Sequence, residues 1–524
     1  MASIVEKHHD TDVLETCAKT LELLCTNSNA IFTRCDVARS TLIDMIINKY
    51  KEAVDDWRSL IEGEETPDED KTFSVVYSLK KVATFYNCHS LGNGGIWDSI
   101  FKDRSDAKDG NKTLPEEAVQ YCISARFFAI LWDLHHLEKV MENEANGSEQ
   151  LQQLKVRLYM FMDTRKELLM SGQNQTYVGE VIVLQAYLTI CDLLVVFCDQ
   201  LGNNPQLAEL VYEADHGLQI QLNDFIQNYI FIMEEDDEQD EHSKIEELHK
   251  RRNFLASFCK LIVYNMMPTK VAADVFKHCV KYCNDYGDII KATLGKAREI
   301  NKTNCARTMA ISLTVLFREL QRDGTRVNRH SEEFVSPKEL AKRFALSFGL
   351  DAVKNREAIT AVHWEGILFS VNPLESSEDD TGPPRNLLFL EILTEFTNKL
   401  LKQDKRVVLT FLDRHIAAGM PSSCGEDWQP LLLYLNSLVH GETDQPPVTS
   451  KRAYSCKKEY AAEEEEQGEE AEEATSDQEF NTGELVTSHT ADSVTVATNV
   501  VIPYEIQQDV HQVYEQQFSN IQSP

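Results

Sequence analysis

Apolar residues recur at three- and four-residue steps along most of this chain, the spacing that gathers side chains on one face of an α-helix. Phe254, Phe258, Leu261 and Ile262 form one such stripe; Phe389, Leu393, Phe396 and Leu400 form another. Start and stop signals agree. Ser336-Pro337-Lys338-Glu339 supplies an N-cap serine, a proline at the first helical position and a glutamate three residues on. Thr113-Leu114-Pro115-Glu116 offers the same box. Gly349 stands where a left-handed C-terminal residue is wanted, and Asp351 is placed to cap a further helix reaching about His363. The most apolar run, Val181 to Cys198, is interrupted by Gln185, Thr189 and Asp192. It is too polar and slightly short for a membrane span, and reads as a fully buried helix.

Typical helix and loop lengths give about eighteen helices between Asp10 and His440. Helices joined by short loops pack as antiparallel neighbours, and a long series of them without strand signals points to an α-solenoid. No strict period is visible, which favours the irregular HEAT type. The expected fold is therefore all-α, a HEAT-like α-solenoid of antiparallel helix hairpins over residues 1–440. Three acidic or Pro-containing stretches, 63–71, 234–241 and 375–385, read as solvated inter-helix loops. Beyond His440 the composition changes to a glutamate-rich tail, 441–524, that reads as disordered. Lys451-Arg452 and Lys457-Lys458 within it are either a nuclear-import cluster or stray basic residues.

Composition sharpens this picture. Only 21 glycines and 14 prolines in 524 residues leave few turn breakers, as long helices require. The net charge is −33, of which the tail carries −14, so the helical region is itself acidic. A protein that grips nucleic acid by neutralising phosphates shows a basic face, so the average field here attracts basic peptides instead. Thirteen cysteines without framework spacing fit a reducing compartment.

Catalytic constellations are missing. The chain has no phosphate-cradling Gly-rich loop, no nucleophile elbow and no His-Glu-x-x-His. His135-His136 beside Asp133 face different ways on a helix. Cys279 and Cys283, one turn apart and next to His278, read as core or helix-face thiols, since a structural zinc site needs four closed ligands. Trp132 and Trp364 read as core anchors. No metal, cofactor, small-molecule substrate or membrane is implied, and the chain reads as a non-enzymatic binding scaffold.

A series of segments resembles the SA/stromalin subunits of cohesin. Lys244-Ile245-Glu246-Glu247-Leu248-His249-Lys250-Arg251-Arg252-Asn253-Phe254-Leu255-Ala256 is one, with Ala272-Ala273-Asp274-Val275-Phe276-Lys277 and Tyr282-Cys283-Asn284-Asp285-Tyr286-Gly287-Asp288 after it. Val37-Ala38-Arg39-Ser40-Thr41-Leu42 is another. Ser336 to Asp351 (SPKELAKRFALSFGLD) resembles the family most closely, followed by Asn386 to Phe396 and Trp428-Gln429-Pro430-Leu431. These blocks come in the family's order. The version around His363 to Phe369 is looser, and Leu435 stands where an arginine is usual.

The resemblance covers about Thr11 to His440 and implies the C-terminal half of such a subunit, as a fragment, an incompletely defined gene product or a short paralogue. It implies a nuclear, chromatin-associated scaffold acting in sister-chromatid cohesion and chromosome segregation. The implied partner is the kleisin subunit, through which the chain meets the SMC proteins and DNA; direct DNA binding by this half is expected to be weak. The family's shugoshin-, CTCF- and DNA-binding surfaces of the N-terminal half are not carried over.

Asp285, Tyr286 and Asp288 look like the family's kleisin-contacting turn. The two carboxylates are expected to pair with kleisin Arg or Lys while Tyr286 packs on its backbone; alternatively Asp288 caps a helix starting at Ile289. Lys250, Arg251 and Arg252 are a second candidate, for kleisin acids or DNA phosphate, or else a solvated cationic face. Competing readings of the whole are a generic HEAT-type adaptor, a truncated paralogue with a competing regulatory role, and a hydrolase built on Cys279 or His278.

Overall fold

The computed structural model describes residues 1–25, 32–63, 68–91, 115–143, 147–173, 179–232, 241–321, 326–371, 383–416 and 426–439. Among these residues lie seventeen α-helices, short 3-10 turns and no strand. The fold is all-α and of the HEAT-like solenoid class. The tail 441–524, the Thr113 capping box and most of the three acidic loops fall outside the described residues. The helical region divides into two compact units, one of residues 1–272 and 288–300, the other of 273–287 and 301–439.

The first unit holds α1 (Ala2–Lys7), α2 (Thr11–Leu24), α3 (Phe32–Glu62), α4 (Glu69–Cys88), α5 (Glu116–Asn143), α6 (Gly147–Gln173), α7 (Glu180–Val196), α8 (His216–Tyr229) and α9 (Glu241–Val263). Local chemistry starts several of them. Asp10, Asp68 and Asp215 each accept a hydrogen bond from the amide three residues on, at 3.1, 2.8 and 2.8 Å. Each satisfies one of the orphan donors of a helix start. On α2 the buried positions are Leu14, Cys17, Ala18 and Leu21, the three- and four-step stripe of a half-buried helix. Trp132 of α5 is buried and donates its indole N–H to the Tyr86 carbonyl of α4 at 2.7 Å.

The apolar run near residue 181 is α7. By length and composition alone it would suit a membrane, but 83% of that stretch is buried inside the protein. It packs on α5, α6 and α9. Tyr187 of α7 donates to the Phe254 carbonyl at 3.0 Å, within a cluster of Phe225, Tyr229 and Phe254 rings. The stripe Phe254, Phe258, Leu261 and Ile262 is essentially without solvent exposure. Each such side chain contributes about 1.5–3 kcal/mol by leaving water.

The second unit holds α10 (Ala273–Phe276), α12 (Lys302–Glu319), α13 (Val335–Ser347), α14 (Arg356–Ser370), α15 (Phe389–Leu393), α16 (Lys402–Ile416) and α17 (Gln429–Val439). The long helix α11 (Cys283–Ile300) contributes its first residues here and its remainder to the first unit. Helices α12, α14 and α16 lie side by side and parallel. Arg307 and Phe317 of α12 meet Glu365 and Phe369 of α14 in rising order. Arg356 and Trp364 of α14 then meet Asp404 and Phe411 of α16. Behind this layer stand α13, the 3-10 turn Thr394–Lys399 and α17, packed on one another in turn.

Helix α13 begins differently from its sequence expectation. A 3-10 turn, Glu332–Phe334, leads straight into it, so Ser336 sits inside the helix and caps nothing. Burial of Phe334 against Phe317 outweighs the serine's preference for a cap. Gly349 does take the left-handed conformation, at φ +63°. Asp351 accepts from the Lys354 amide at 3.0 Å and so organises the turn before α14, which runs on to Ser370 rather than ending near His363. The stripe Phe389, Leu393, Phe396 and Leu400 is buried, but its helix tightens to 3-10 after Leu393. Trp364 is a correction to the reading of it as a core anchor: 38% of its surface is exposed.

Candidate functional site

The polar cluster Asn284 to Asp288 is not a turn between two helices. It is the beginning of α11, which starts at Cys283, so Asp288 lies within the helix and does not cap a start at Ile289. Tyr286 is 3% exposed and its ring lies 5.9 Å from that of Tyr282. A side chain so buried cannot lie on a partner's backbone; the packing expected of it with the kleisin is met inside the chain. Asp285 is half-buried and Asp288 is exposed.

Asp288 is held by Arg252, one of the three consecutive cations of α9. The Arg252 guanidinium donates through both Nη atoms, at 3.0 Å to Oδ1 and 2.5 Å to Oδ2. This two-pronged hydrogen bond holds the Asp288 carboxyl below the usual carboxylate range, against a smaller opposing effect of burial. The other two cations face a single carboxylate. Arg251 Nε donates to Glu247 at 3.1 Å, and Lys250 Nζ lies 3.6 Å from the same group. Glu247 also accepts from the Tyr229 hydroxyl at 3.3 Å. Sequence reading treated the acidic and basic segments as separate candidates; the structure joins Arg252 to Asp288 across 36 residues. No spacing signal could have paired them.

The residues of the hydrolase reading do not make a catalytic set. Cys279 is buried. His278 is pushed down to about 3 by burial, with Lys277 and Lys281 adding to it, so it is neutral at physiological pH. Arg343 donates to Cys283 Sγ at 3.1 Å and to the Cys279 carbonyl at 3.5 Å, an arrangement that ties α13 to this hairpin. Among the described residues no group of three or more metal-ligating side chains comes together. His136 instead meets the Ser90 hydroxyl at 2.9 Å, and Asp133 receives Arg157 at 2.6 Å.

The segment that most resembles the family, Ser336 to Asp351, is spent on packing. Lys338 reaches the buried Glu391 at 3.0 Å, and Arg329 Nε lies 2.8 Å from the same carboxylate as an ion pair without hydrogen-bond angles. Lys399 donates to the Gly349 carbonyl at 2.9 Å.

Comparison with known proteins follows these lines. Residues 1–132 match the family described as cohesin subunit SCC3/SA, HEAT-repeats domain, and residues 302–441 match the STAG protein C-terminal domain. The chain is 40% identical over 448 residues to cohesin subunit SA-1 of Xenopus laevis, which covers 84% of this chain and 34% of that protein. It is 34% identical over 445 residues to cohesin subunit SA-3 of Homo sapiens, covering 84% and 35%. Against cohesin subunit scc-3 of Caenorhabditis elegans it is 31% identical over 446 residues, covering 84% and 38%. The chain thus spans about a third of the length of the curated relatives it matches, less than the half that the resemblance had suggested.

Proposed function

Because the chain belongs to the cohesin SA (stromalin) family, we propose that it is a non-enzymatic scaffold subunit of a cohesin complex that holds the kleisin subunit. On this reading it acts in sister-chromatid cohesion and chromosome segregation, in the nucleus and on chromatin. The match of two family domains in order along an all-α chain is the observation that carries the proposal. Stacked helical repeats expose extended surfaces suited to a long peptide, and an acidic chain favours a basic one.

Asp285 is the residue assigned to meet a basic kleisin side chain, because it is an acidic residue only part-buried in the first turn of α11. Asp288 can take part only by exchanging Arg252 for a kleisin cation. Lys250, Arg251 and Arg252 are already faced by Glu247 and Asp288, which weakens their candidacy for DNA phosphate and leaves contact with DNA to the rest of the complex. The test is retention of a purified kleisin middle region by the full chain. An unrelated HEAT adaptor would not retain it, and failure to do so overturns the assignment.

A further inference from the structure

Trp364 opens onto a surface that the kleisin reading does not use. The parallel helices α12, α14 and α16 present one continuous outer face. Ile311 of α12, Trp364 and Leu368 of α14, and Val407 of α16 are 36%, 38%, 45% and 49% exposed. The Trp364 ring lies 6.1 Å from that of Phe411 on α16, which joins the two sides. Arg307, one turn before Ile311, lies 3.6 Å from Glu365, which joins α12 to the same row. Past Glu357, Trp364 and Leu368 are the exposed apolar side chains of α14, with the Glu365 carboxylate between them. A helix that turns a tryptophan and a leucine to water at its centre is built to be covered.

The charge around this ridge identifies what covers it. The three helices carry eight Lys or Arg against five Asp or Glu, a positive excess in a chain whose net charge is −33, with Glu365 and Asp404 already facing Arg307 and Arg356. Arg406 and Arg414 stand next to Val407 and one turn after Phe411 at the α16 end of the row, while Arg307 at the α12 end already faces Glu365. Nucleic acid would also meet a basic face, but it stacks on aromatic planes, and three of the four exposed side chains here are aliphatic. Two helix spacings of about 8–10 Å each span roughly 20 Å, the length of about six extended residues. We propose that a short extended segment of a partner protein, apolar at its centre and flanked by Asp or Glu, lies across α12, α14 and α16 with its anchor against Trp364 and Phe411.

The inference does not rest on the kleisin reading. Its test is selection from a displayed library of random peptides, about sixteen residues long so as to carry flanks on a six-residue core, on the full chain. The enriched peptides should place apolar residues between acids. A synthetic peptide of that sequence should bind about tenfold or more weakly to Trp364→Ala, the loss typical of a central aromatic anchor. Trp364 is partly exposed, so the variant should keep its helicity; the doubly charge-reversed Arg406→Glu/Arg414→Glu gives a second reading at exposed positions. Asp285→Lys, which tests kleisin contact, should leave this binding unchanged. The proposal is overturned if no peptide discriminates wild type from Trp364→Ala, if the enriched peptides are neutral or basic, or if labelled poly(dT) competes fully for the same face. A wild-type dimer that Trp364→Glu turns into a monomer would likewise overturn it, by assigning the ridge to a second copy.

Discussion

Arg252 and Asp288 neutralise one another across α9 and α11, with the two guanidinium Nη atoms on the two carboxylate oxygens. The pair is well aimed but lies at the surface, where Asp288 keeps 65% of its side chain in water. Exposed pairs are screened and yield about 0.2–1 kcal/mol. Arg252→Gln and Asp288→Asn should therefore each lower stability by less than about 1 kcal/mol. The double variant should cost little more than either single one, because both remove the same contact. Denaturant unfolding of the four proteins checks this. Additive losses would mean that the two side chains act separately.

Asp285 carries the sharper prediction for partner binding. Truncating one member of a desolvated charge pair costs about 2–5 kcal/mol, and reversing its sign adds repulsion. Asp285→Lys should then weaken kleisin binding by at least about thirtyfold at unchanged helicity. Asp288→Asn should act less, since it removes a charge without reversing it. Calorimetry on both variants separates these cases. Wild-type affinity in Asp285→Lys removes this residue from the interface.

What was legible in the sequence followed from periodicity. The stripe through Phe254 and Ile262 was read correctly because burial of one helix face dictates it, and α7 was read as buried because three polar residues interrupt it. Helix starts were read less well. Ser336 reads as a capping box yet caps nothing, whereas side-chain caps among the described residues include Asp10, Asp68, Asp215 and Asn301, single Asp or Asn residues whose local signal is no stronger than that of many others. The candidate site suffered most. Tyr286 looked like a surface residue because polar neighbours surround it in sequence, yet a helix start hides it while leaving Asp288 out. Trp364 erred in the opposite direction, since nothing in a single sequence distinguishes a buried tryptophan from one turned outward.

Gly366 is packed closely against a neighbouring element. A Cβ added there would stand 2.5 and 2.7 Å from the two methyls of Leu393, a fully buried side chain on α15. Alanine favours a helix over glycine by about 0.5–1 kcal/mol, but overpacking costs about 1–3 kcal/mol. Gly366→Ala should therefore destabilise the chain. In a Leu393→Ala background the obstruction is gone, and the same substitution should become neutral or stabilising. Thermal unfolding of the four combinations decides it; a penalty that persists without Leu393 would place the conflict elsewhere.

His363 supplies a pH dependence. Its ring is wholly buried between α14 and α17, with Nδ1 2.6 Å from the Tyr434 hydroxyl, and burial pushes it down to about 3. In the unfolded chain the same imidazole takes a proton near pH 6.5. Between those two values the unfolded state binds the extra proton, so stability is complete above about 6.5 and is lost as the pH falls. At pH 5 the difference amounts to about 2 kcal/mol for this one residue. His89, held at about 4 by burial while its Nε2 lies 3.1 Å from the Ala18 carbonyl, adds a loss in the first unit between pH 6.5 and 4, about as large at pH 5 but complete sooner. His363→Gln lowers stability at every pH by disturbing the contact with Tyr434, so the informative quantity is the change between pH 7 and pH 5. That change should shrink by about 2 kcal/mol in the variant, measured by denaturant unfolding followed through the second unit. An undiminished change would show that His363 already carries its proton in the folded chain, which its burial against Tyr434 does not permit.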